Sequence, residues 1–403
     1  MIIGIDASRA NSRQRTGTEW YSFHVIEELK KIIPAEHQVI LYSKEPLLPD
    51  LSKLPVTWQS RVLRWPPKFL WTQFRLSWEM FMHKPDILYI PAHTIPLIHP
   101  KKIVLVVHDV GFEREATLYN DTTIGNNQPI VKKIMNLLVR LVTVGKYNAS
   151  EKDYHRFAMT QAIRHATRII TVSQFSQQEI IDVYHSVSKK RITVIPNGFN
   201  TRKKQQITKI SSTIVHEHGI RMPYVLFIGR IEQKKNIPRL IDAFALIKKQ
   251  YHFSGQLVLA GSPGFGHEEV QHRITKHQLS NDVIQTGWIS NELLSLLLTH
   301  AHAFVFPSLY EGFGIPLLEA MSVGVPTVCS AISPLQEIGS DATLYFNPTS
   351  SEDMAEKIAQ VLYKDSLRQT LIEKGYAQAC KFSWENTALK TWNVLHSIMQ
   401  KNL

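Results

Sequence analysis

The sequence predicts an α/β protein: two doubly wound, Rossmann-like domains, with helices at the C-terminal end. Three observations predict it. Short β-branched runs alternate with helical stretches along most of the chain. Those runs are apolar without period-two alternation, as in parallel strands covered on both faces. The alternation falls into two blocks, separated by the polar, basic stretch TRKKQQITKISS (201–212). A chain of 403 residues has room for two or three domains of ~100–200 residues.

In the first block, MIIGID (1–6) reads as a strand and residues near 18–33 as a helix. HQVILYS (37–43), DILYIP (86–91), KIVLVVHD (102–109), RIITVS (168–173) and ITVIPNG (192–198) continue the strand series. The second block runs YVLFIGR (224–230), QLVLAGS (256–262), DVIQTGW (282–288), AHAFVFPS (301–308), PTVCS (326–330) and TLYFNP (343–348). Helical spacing fills the gaps, as in NIPRLIDAFALIKKQ (236–250), and two or three helices follow Ser351. Ligands of such sheets sit beyond the carboxyl ends of the strands. Asp6 to Gly17, His108-Asp109, Gly229-Arg230, Gly261 and Glu311 all fall there.

Composition narrows the function classes. Hydrophobic residues make up 44 %, which excludes a disordered or collagen-like chain. No apolar run approaches the ~18–20 residues of a membrane-spanning helix, and Asp6 comes too early for a signal-peptide core. Two cysteines build no disulfide framework. The expectation is a cytoplasmic protein, held at most peripherally on the inner face of a membrane. The net charge of +12 is uneven: residues 1–210 hold 30 Lys/Arg and 17 Asp/Glu (+13), and residues 211–403 hold 16 and 17 (−1). A basic front half fits an anionic partner: nucleic acid, a lipid surface or a phosphorylated substrate. No RRM, KH or helix-turn-helix pattern supports nucleic acid.

The densest motif is PSLYEGFGIPLLEAMSVGVP (307–326). Glu311 closes a loop after a strand. Gly312 and Gly314 let backbone approach a ligand, and a helix starting near Pro316 aims its amides at the same place, which suits phosphate or a polar sugar. Glu319 follows eight residues after Glu311, placed to accept hydrogen bonds from a ribose diol. No HExxH, CxxC or G-x-S-x-G arrangement is present. Electrostatics and positioning therefore carry the chemistry, with no metal and no cofactor expected.

This stretch resembles the E-x₇-E signature of the retaining glycosyltransferases of family 4, which have the GT-B fold. IGIDASRANSRQRTGTEWYS is similar to that family's N-terminal glycine loop, and HDVGF (108–112) to its His-Asp element. TVSQFSQQEI and VIPNGFN are similar to the end of its first domain, GRIEQKKNIPRLIDAFALI to the opening of its second, and SPLQEIGSDATLYFNP to its close. The resemblance implies the site. Arg230 and Lys235 would hold the donor diphosphate, with Lys234 adjacent, and Glu319 the ribose. Glu311 would orient the transferred sugar. The amides of Gly312, Phe313, Gly314, Ile315 and Leu317 would meet sugar hydroxyls and phosphate. Gly17 would face the diphosphate from the other domain across a cleft, His108 would stand beside the donor sugar, and Gly287-Trp288 would meet the base. Glu19 stands where the family often has a second glycine, Gln336 where proline is common, and Leu298 where tyrosine is frequent.

Retention implies front-side attack, the leaving phosphate taking the acceptor proton. The resemblance further implies a hexose donor. GDP-mannose is favoured, a UDP-hexose is the alternative, and a non-catalytic nucleotide-sugar-binding protein on this fold is a third reading. The acceptor would be a glycan or lipid-linked glycan. The expected division is 1–200 (with a basic insertion about 115–160), a linker at 201–222, a donor domain at 223–383, and a helix at 384–403 packing back on the first domain.

Two basic, aromatic-rich or amphipathic segments bear on the acceptor. WQSRVLRWPPKFLWTQFRLSWEMFMHK (58–84) reads either as a helix docked on the core or as an interfacial element on anionic lipid. In PIVKKIMNLLVRLVTVGKYN (129–148), Ile134, Leu137, Leu138, Leu141 and Val142 share one helical face, ringed by Lys132, Lys133, Arg140 and Lys146. It suits an anionic membrane surface or a packing contact equally.

Overall fold

Strand β1 (Ile2–Asp6) runs up the middle of a seven-stranded parallel sheet in a computed structural model that describes residues 1–65, 70–119, 151–200 and 218–400. The sheet order is β3-β2-β1-β4-β5-β6-β7, with β2 (Gln38–Ser43), β3 (Trp58–Val62), β4 (Ile87–Ile90), β5 (Lys102–Val107), β6 (Arg168–Thr171) and β7 (Ile192–Val194). A second sheet has the order β10-β9-β8-β11-β12-β13. Its strands are β8 (Tyr224–Ile228), β9 (Gln256–Ala260), β10 (Val283–Gly287), β11 (Ala303–Phe306), β12 (Thr327–Ser330) and β13 (Leu344–Phe346). The runs without alternation are explained by burial: every residue of β4, β8, β9, β11 and β12 is buried.

The helices are α1 (Gly17–Ile32), α2 (Ser77–Met82), α3 (Gly111–Arg114), α4 (Glu151–His165), α5 (Gln174–Val183), α6 (Ile237–Tyr251) and α7 (His267–Lys276). They continue as α8 (Asn291–His300), α9 (Ile315–Ser322), α10 (Ser333–Gly339), α11 (Ser351–Tyr363), α12 (Asp365–Ala379) and α13 (Trp384–Met399). Among the described residues no helix is long and apolar enough to cross a membrane.

The chain forms two compact units. One holds the chain through Ala116, the described residues up to Gly198, and everything from Trp384 on. The other holds Phe199 to Ser383 with Thr117–Tyr119. Each sheet reverses its winding beside its first strand, between β1 and β4 in one and between β8 and β11 in the other. Those switch points open the crevices where ligands of doubly wound sheets bind. The segment 129–148 and most of the linker, 201–217, lie outside the described residues.

One expectation needs correction. The stretch 58–84 is not a single helix. Trp58–Val62 forms β3, pairing in parallel with β2 from Val39↔Trp58 to Ser43↔Val62. A π-helical turn, Thr72–Leu76, then runs into α2. β3 is the edge of its sheet and only Trp58 in it is buried, so its polar residues hid the strand.

α13 belongs to the first unit and packs on α1. His24 of α1 lies between Trp20 and Trp384, its ring centroid 5.2 and 5.1 Å from theirs and 17° from parallel to each. Burial, with Arg15 nearby, pushes its pKa down to about 4. An unfolded His titrates near ~6.5, so this contribution to stability is complete above that pH and is lost as pH falls through 6.5 towards 4. His93, pushed by burial to about 3, acts in the same direction. Urea unfolding is expected to show the first unit less stable at pH 5 than at pH 7 by about 1 kcal/mol or more. His24→Phe should remove part of that difference, and an unchanged difference would contradict the assignment.

Candidate functional site

The second unit brings candidate site residues together at the carboxyl ends of β8, β9 and β11. A Cβ on Gly261, just past β9, would lie 2.0 Å from the Gly229 carbonyl oxygen, so only glycine lets the two strand ends close together. The Gly229 amide donates to the Ala260 carbonyl at 3.0 Å. Arg230 emerges from this pinch with a side chain 65 % exposed and a loose ion pair to Glu232 at 3.7 Å.

A 3₁₀ turn, Gln233–Lys235, then leads to Asn236, which is buried and left-handed at φ 59°. The Asn236 amide nitrogen donates to the carbonyls of Pro307 (3.1 Å) and Pro348 (2.8 Å), and Arg239 donates to its oxygen at 3.0 Å. The Leu309 amide donates to the Lys234 carbonyl at 2.8 Å. These bonds clamp the cationic turn onto the loop after β11.

The clamp sets Lys235 against Glu311 in an ion pair, with the Lys235 Nζ 5.0 Å from the Phe306 ring centroid. Ser308 Oγ donates to the same carboxylate oxygen, Glu311 Oε1, at 2.6 Å. Burial pushes the Glu311 carboxyl up, but the Lys235 and Lys234 charges and the bonds from Lys235 and Ser308 outweigh it and hold it below the ordinary range. Glu311 is therefore an anion at neutral pH: a fixed acceptor, with its charge matched by Lys235.

Gly314 starts α9 at φ 123°, a conformation open to glycine, and a Cβ there would also meet Leu335 Cδ2 at 2.7 Å. Gly312, Phe313 and Gly314 are buried. The Phe313 ring packs edge-on against Phe382, centroids 5.9 Å apart, so what Phe313 offers the site is backbone. Leu317 departs from expectation: its amide donates to the Gly314 carbonyl at 3.0 Å, closing the first turn of α9. Pro316 has no N–H, so the amides of Phe313, Gly314 and Ile315 are the ones ahead of the helix's bonded ladder. Glu319 is 7 % exposed, beside the buried Leu317, Leu318, Ala320 and Met321. Gly287 has φ 67°, and Trp288 after it is exposed.

The first unit places its predicted residues at the carboxyl ends of β1 and β5. Gly17 is the first residue of α1, and a Cβ on it would meet nothing within 4 Å. Glu19 has a local reason to replace glycine: its Oε2 accepts from the Thr16 amide at 3.2 Å in a capping box, and its Oε1 pairs with Arg9 at 3.3 Å. His108 packs edge-on to Tyr21, centroids 4.7 Å apart. Its Nε2 lies 3.3 Å from the Pro91 carbonyl, which only accepts, so Nε2 carries the proton. Burial lowers the His108 pKa against the opposing pulls of the Pro91 carbonyl, Asp109 and Glu19. The imidazole is thus neutral, with Nδ1 as its acceptor. Asp109 serves a turn instead: its Oδ1 accepts from the Gly111 amide at 3.0 Å.

Ser308 and Asn236 are the site residues that sequence reasoning did not single out. Asn236 carried a signal, since a polar residue directly before I-P at a helix start occupies a cap position. Ser308 carried none.

The chain matches the family model Glycosyltransferase Family 4 over residues 15–203 and Glycosyl transferases group 1 over residues 213–378. It is 30 % identical over 256 residues to the O-antigen chain mannosyltransferase B of Escherichia coli, covering 63 % of this chain and 67 % of that protein. It is 28 % identical over 257 residues to the serotype-specific mannosyltransferase WbdA of Escherichia coli, covering 62 % of this chain but 31 % of that longer protein. Among solved structures, a sucrose-phosphate synthase from Thermosynechococcus elongatus superposes with a TM-score of 0.70 at 20 % identity, over 99 % of each chain. WaaG, a glycosyltransferase involved in lipopolysaccharide biosynthesis, superposes with a TM-score of 0.68 at 15 % identity, over 98 % of this chain and 99 % of that one. At these identities the structural likeness establishes the fold, GT-B.

Proposed function

The chain belongs to glycosyltransferase family 4, and on that premise we propose that it moves mannose, with retention and without a metal, from GDP-mannose to a glycan on a lipid carrier. The single observation that carries the donor side is the Lys235–Glu311 pair, each side chain 13 % exposed, clamped beside the start of α9, with Arg230 exposed at the end of β8. In a metal-free transfer the charge that builds on the leaving diphosphate needs fixed cations and amides. Arg230, Lys235 and the amides of Phe313, Gly314 and Ile315 supply them. Glu311 accepts from the hydroxyls of the bound hexose and Glu319 from the ribose. As the bond from the sugar's anomeric carbon to the diphosphate breaks, the acceptor oxygen bonds to that carbon on the same face. The acceptor proton passes to the departing phosphate oxygen. His108 Nδ1 and the open side of Gly17 serve donor sugar and diphosphate from the first unit.

Mannose is favoured because the curated relatives reported above are named mannosyltransferases, and a glycan acceptor because one is named for an O-antigen chain. The basic front half supports peripheral contact with an anionic membrane that carries such an acceptor. A thermal-shift panel tests the donor. GDP-mannose, in EDTA, is expected to raise the melting temperature with concentration, by mass action on the native state. UDP-glucose and UDP-galactose should do so at concentrations higher by about tenfold or more. A larger effect from a UDP-hexose would replace GDP-mannose as the donor, and a strict metal requirement would overturn the metal-free scheme.

A further inference from the structure

After β3 the chain turns back along its sheet as a helix. Trp71 Nε1 donates to the Leu63 carbonyl at 2.8 Å, which fixes the start of that helix at the carboxyl edge. One face of it, with Trp71, Leu76 and Met80, is buried. The other carries Phe74, Trp78, Phe81 and Met82, exposed by 45, 60, 62 and 53 %. Their spacing is that of one helical face. Leu97 and Ile98, exposed by 42 and 43 %, follow in the loop after β4, where their amides meet Oγ of the buried Ser77 at 2.8 and 3.4 Å. The four large apolar side chains of the helix thus form one outward face, of a kind that marks an interaction surface.

The stretch of chain that carries this face is mostly basic. From Lys53 to Lys102 there are eight Lys/Arg and two acids, Glu79 and Asp86. Both acids are engaged. Glu79 is buried and pairs with Arg61 at 2.7 Å and Arg75 at 3.4 Å; Asp86 accepts from the Ile2 amide at 2.7 Å. Arg64, Lys84 and Lys101 are exposed, and Lys84, Lys101 and Lys102 line one shallow cavity together with Asp86. An aromatic and aliphatic face with a surplus of basic side chains beside it, its one buried acid paired with Arg61 and Arg75, complements anionic lipid.

We propose that this face docks the first unit on an anionic bilayer, with Trp78 and Phe81 at the level of the headgroups and the basic side chains over anionic lipids. The inference deepens the reading of a lipid-carried acceptor and rests on it for its purpose. The face runs from the carboxyl edge at Trp71 towards the amino edge, where Lys84 precedes β4 and Lys101 precedes β5, and it would hold the first unit at the bilayer that carries such an acceptor.

Flotation of the full chain with vesicles of phosphatidylcholine alone, and of phosphatidylcholine mixed with phosphatidylglycerol, tests it. The wild-type chain is expected to float with the mixed vesicles and far less with the neutral ones. Trp78→Ser/Phe81→Ser and, separately, Lys84→Glu/Lys101→Glu should each weaken flotation at least about tenfold. Their melting temperatures and their response to GDP-mannose should stay unchanged. Failure of the wild-type chain to float, or variants that float as well as it does, would overturn the proposal. So would sedimentation showing the patch variants monomeric where the wild type is dimeric, with flotation unaltered. No arm of the flotation contains donor, so a chain that floats yet does not bind GDP-mannose leaves the docking face standing and sinks the transferase reading instead.

Discussion

Lys235→Ala is expected to lower turnover at saturating donor by about 10²–10³-fold, the scale on which a fixed group facing a developing negative charge counts. The structure gives the effect two parts. Lys235 reaches the loop before α9, held there by the Asn236 clamp and by its pair with Glu311. Its loss removes charge stabilisation from the departing diphosphate, which acts on the transition state more than on bound donor. It also strands Glu311, a largely buried carboxylate left with Ser308 and the more distant charge of Lys234. An uncompensated buried charge costs a few kcal/mol, so the variant should melt lower as well. Lys235→Met/Glu311→Gln separates the parts: the charge-free pair should recover most of the melting temperature and little of the turnover. Recovery of both together would reduce Lys235 to a structural role.

Gly261→Ala is expected to destabilise the second unit by about 3–5 kcal/mol. The added methyl would lie 2.0 Å from the Gly229 carbonyl oxygen, 2.6 Å from its carbon and 3.3 Å from the Arg230 amide. These are backbone atoms at the end of β8 and cannot rotate away, so the strand ends must separate. Separation breaks the Gly229–Ala260 hydrogen bond and moves Arg230 with it. Denaturant unfolding should show the loss as a lower midpoint, along with weaker donor binding. A midpoint within 0.5 kcal/mol of the wild type would mean that the two strand ends are not pinned as described.

The parts of the fold that the sequence announced are those with both faces buried. β4, β5, β8, β9 and β11 read as unbroken apolar runs because helices cover them on either side. β3 did not, since an edge strand is paired on one side only, its Gln59 and Ser60 are exposed, and its Arg61 is half-buried against Glu79. The apolar positions beyond it, read as either core-docked or lipid-facing, divide between the two faces of one helix. Trp71 and Met80 are buried, Trp78 and Phe81 exposed.

The site follows the same logic. Glu311, Gly314 and Arg230 stood out because a charge or a glycine directly after an apolar run has few structural uses. Asn236 and Ser308 act through hydrogen bonds between segments 71 and three residues apart, and only coordinates reveal such bonds. Leu317 and Asp109 show the converse. Local turn chemistry takes the Leu317 amide and Asp109 Oδ1, and a motif does not show which of its polar groups its own turns use.

Release of GDP from GDP-mannose by the wild-type and Lys235→Ala proteins, side by side in EDTA with a lipid-linked glycan acceptor, tests the central claim most directly. The account predicts acceptor-dependent release by the wild type, with the mannose bound in the anomeric configuration it had in the donor, and a rate lower by about 10²-fold or more for the variant. Equal rates for the two proteins, an inverted product, or no release by the wild type from any GDP- or UDP-hexose would contradict it.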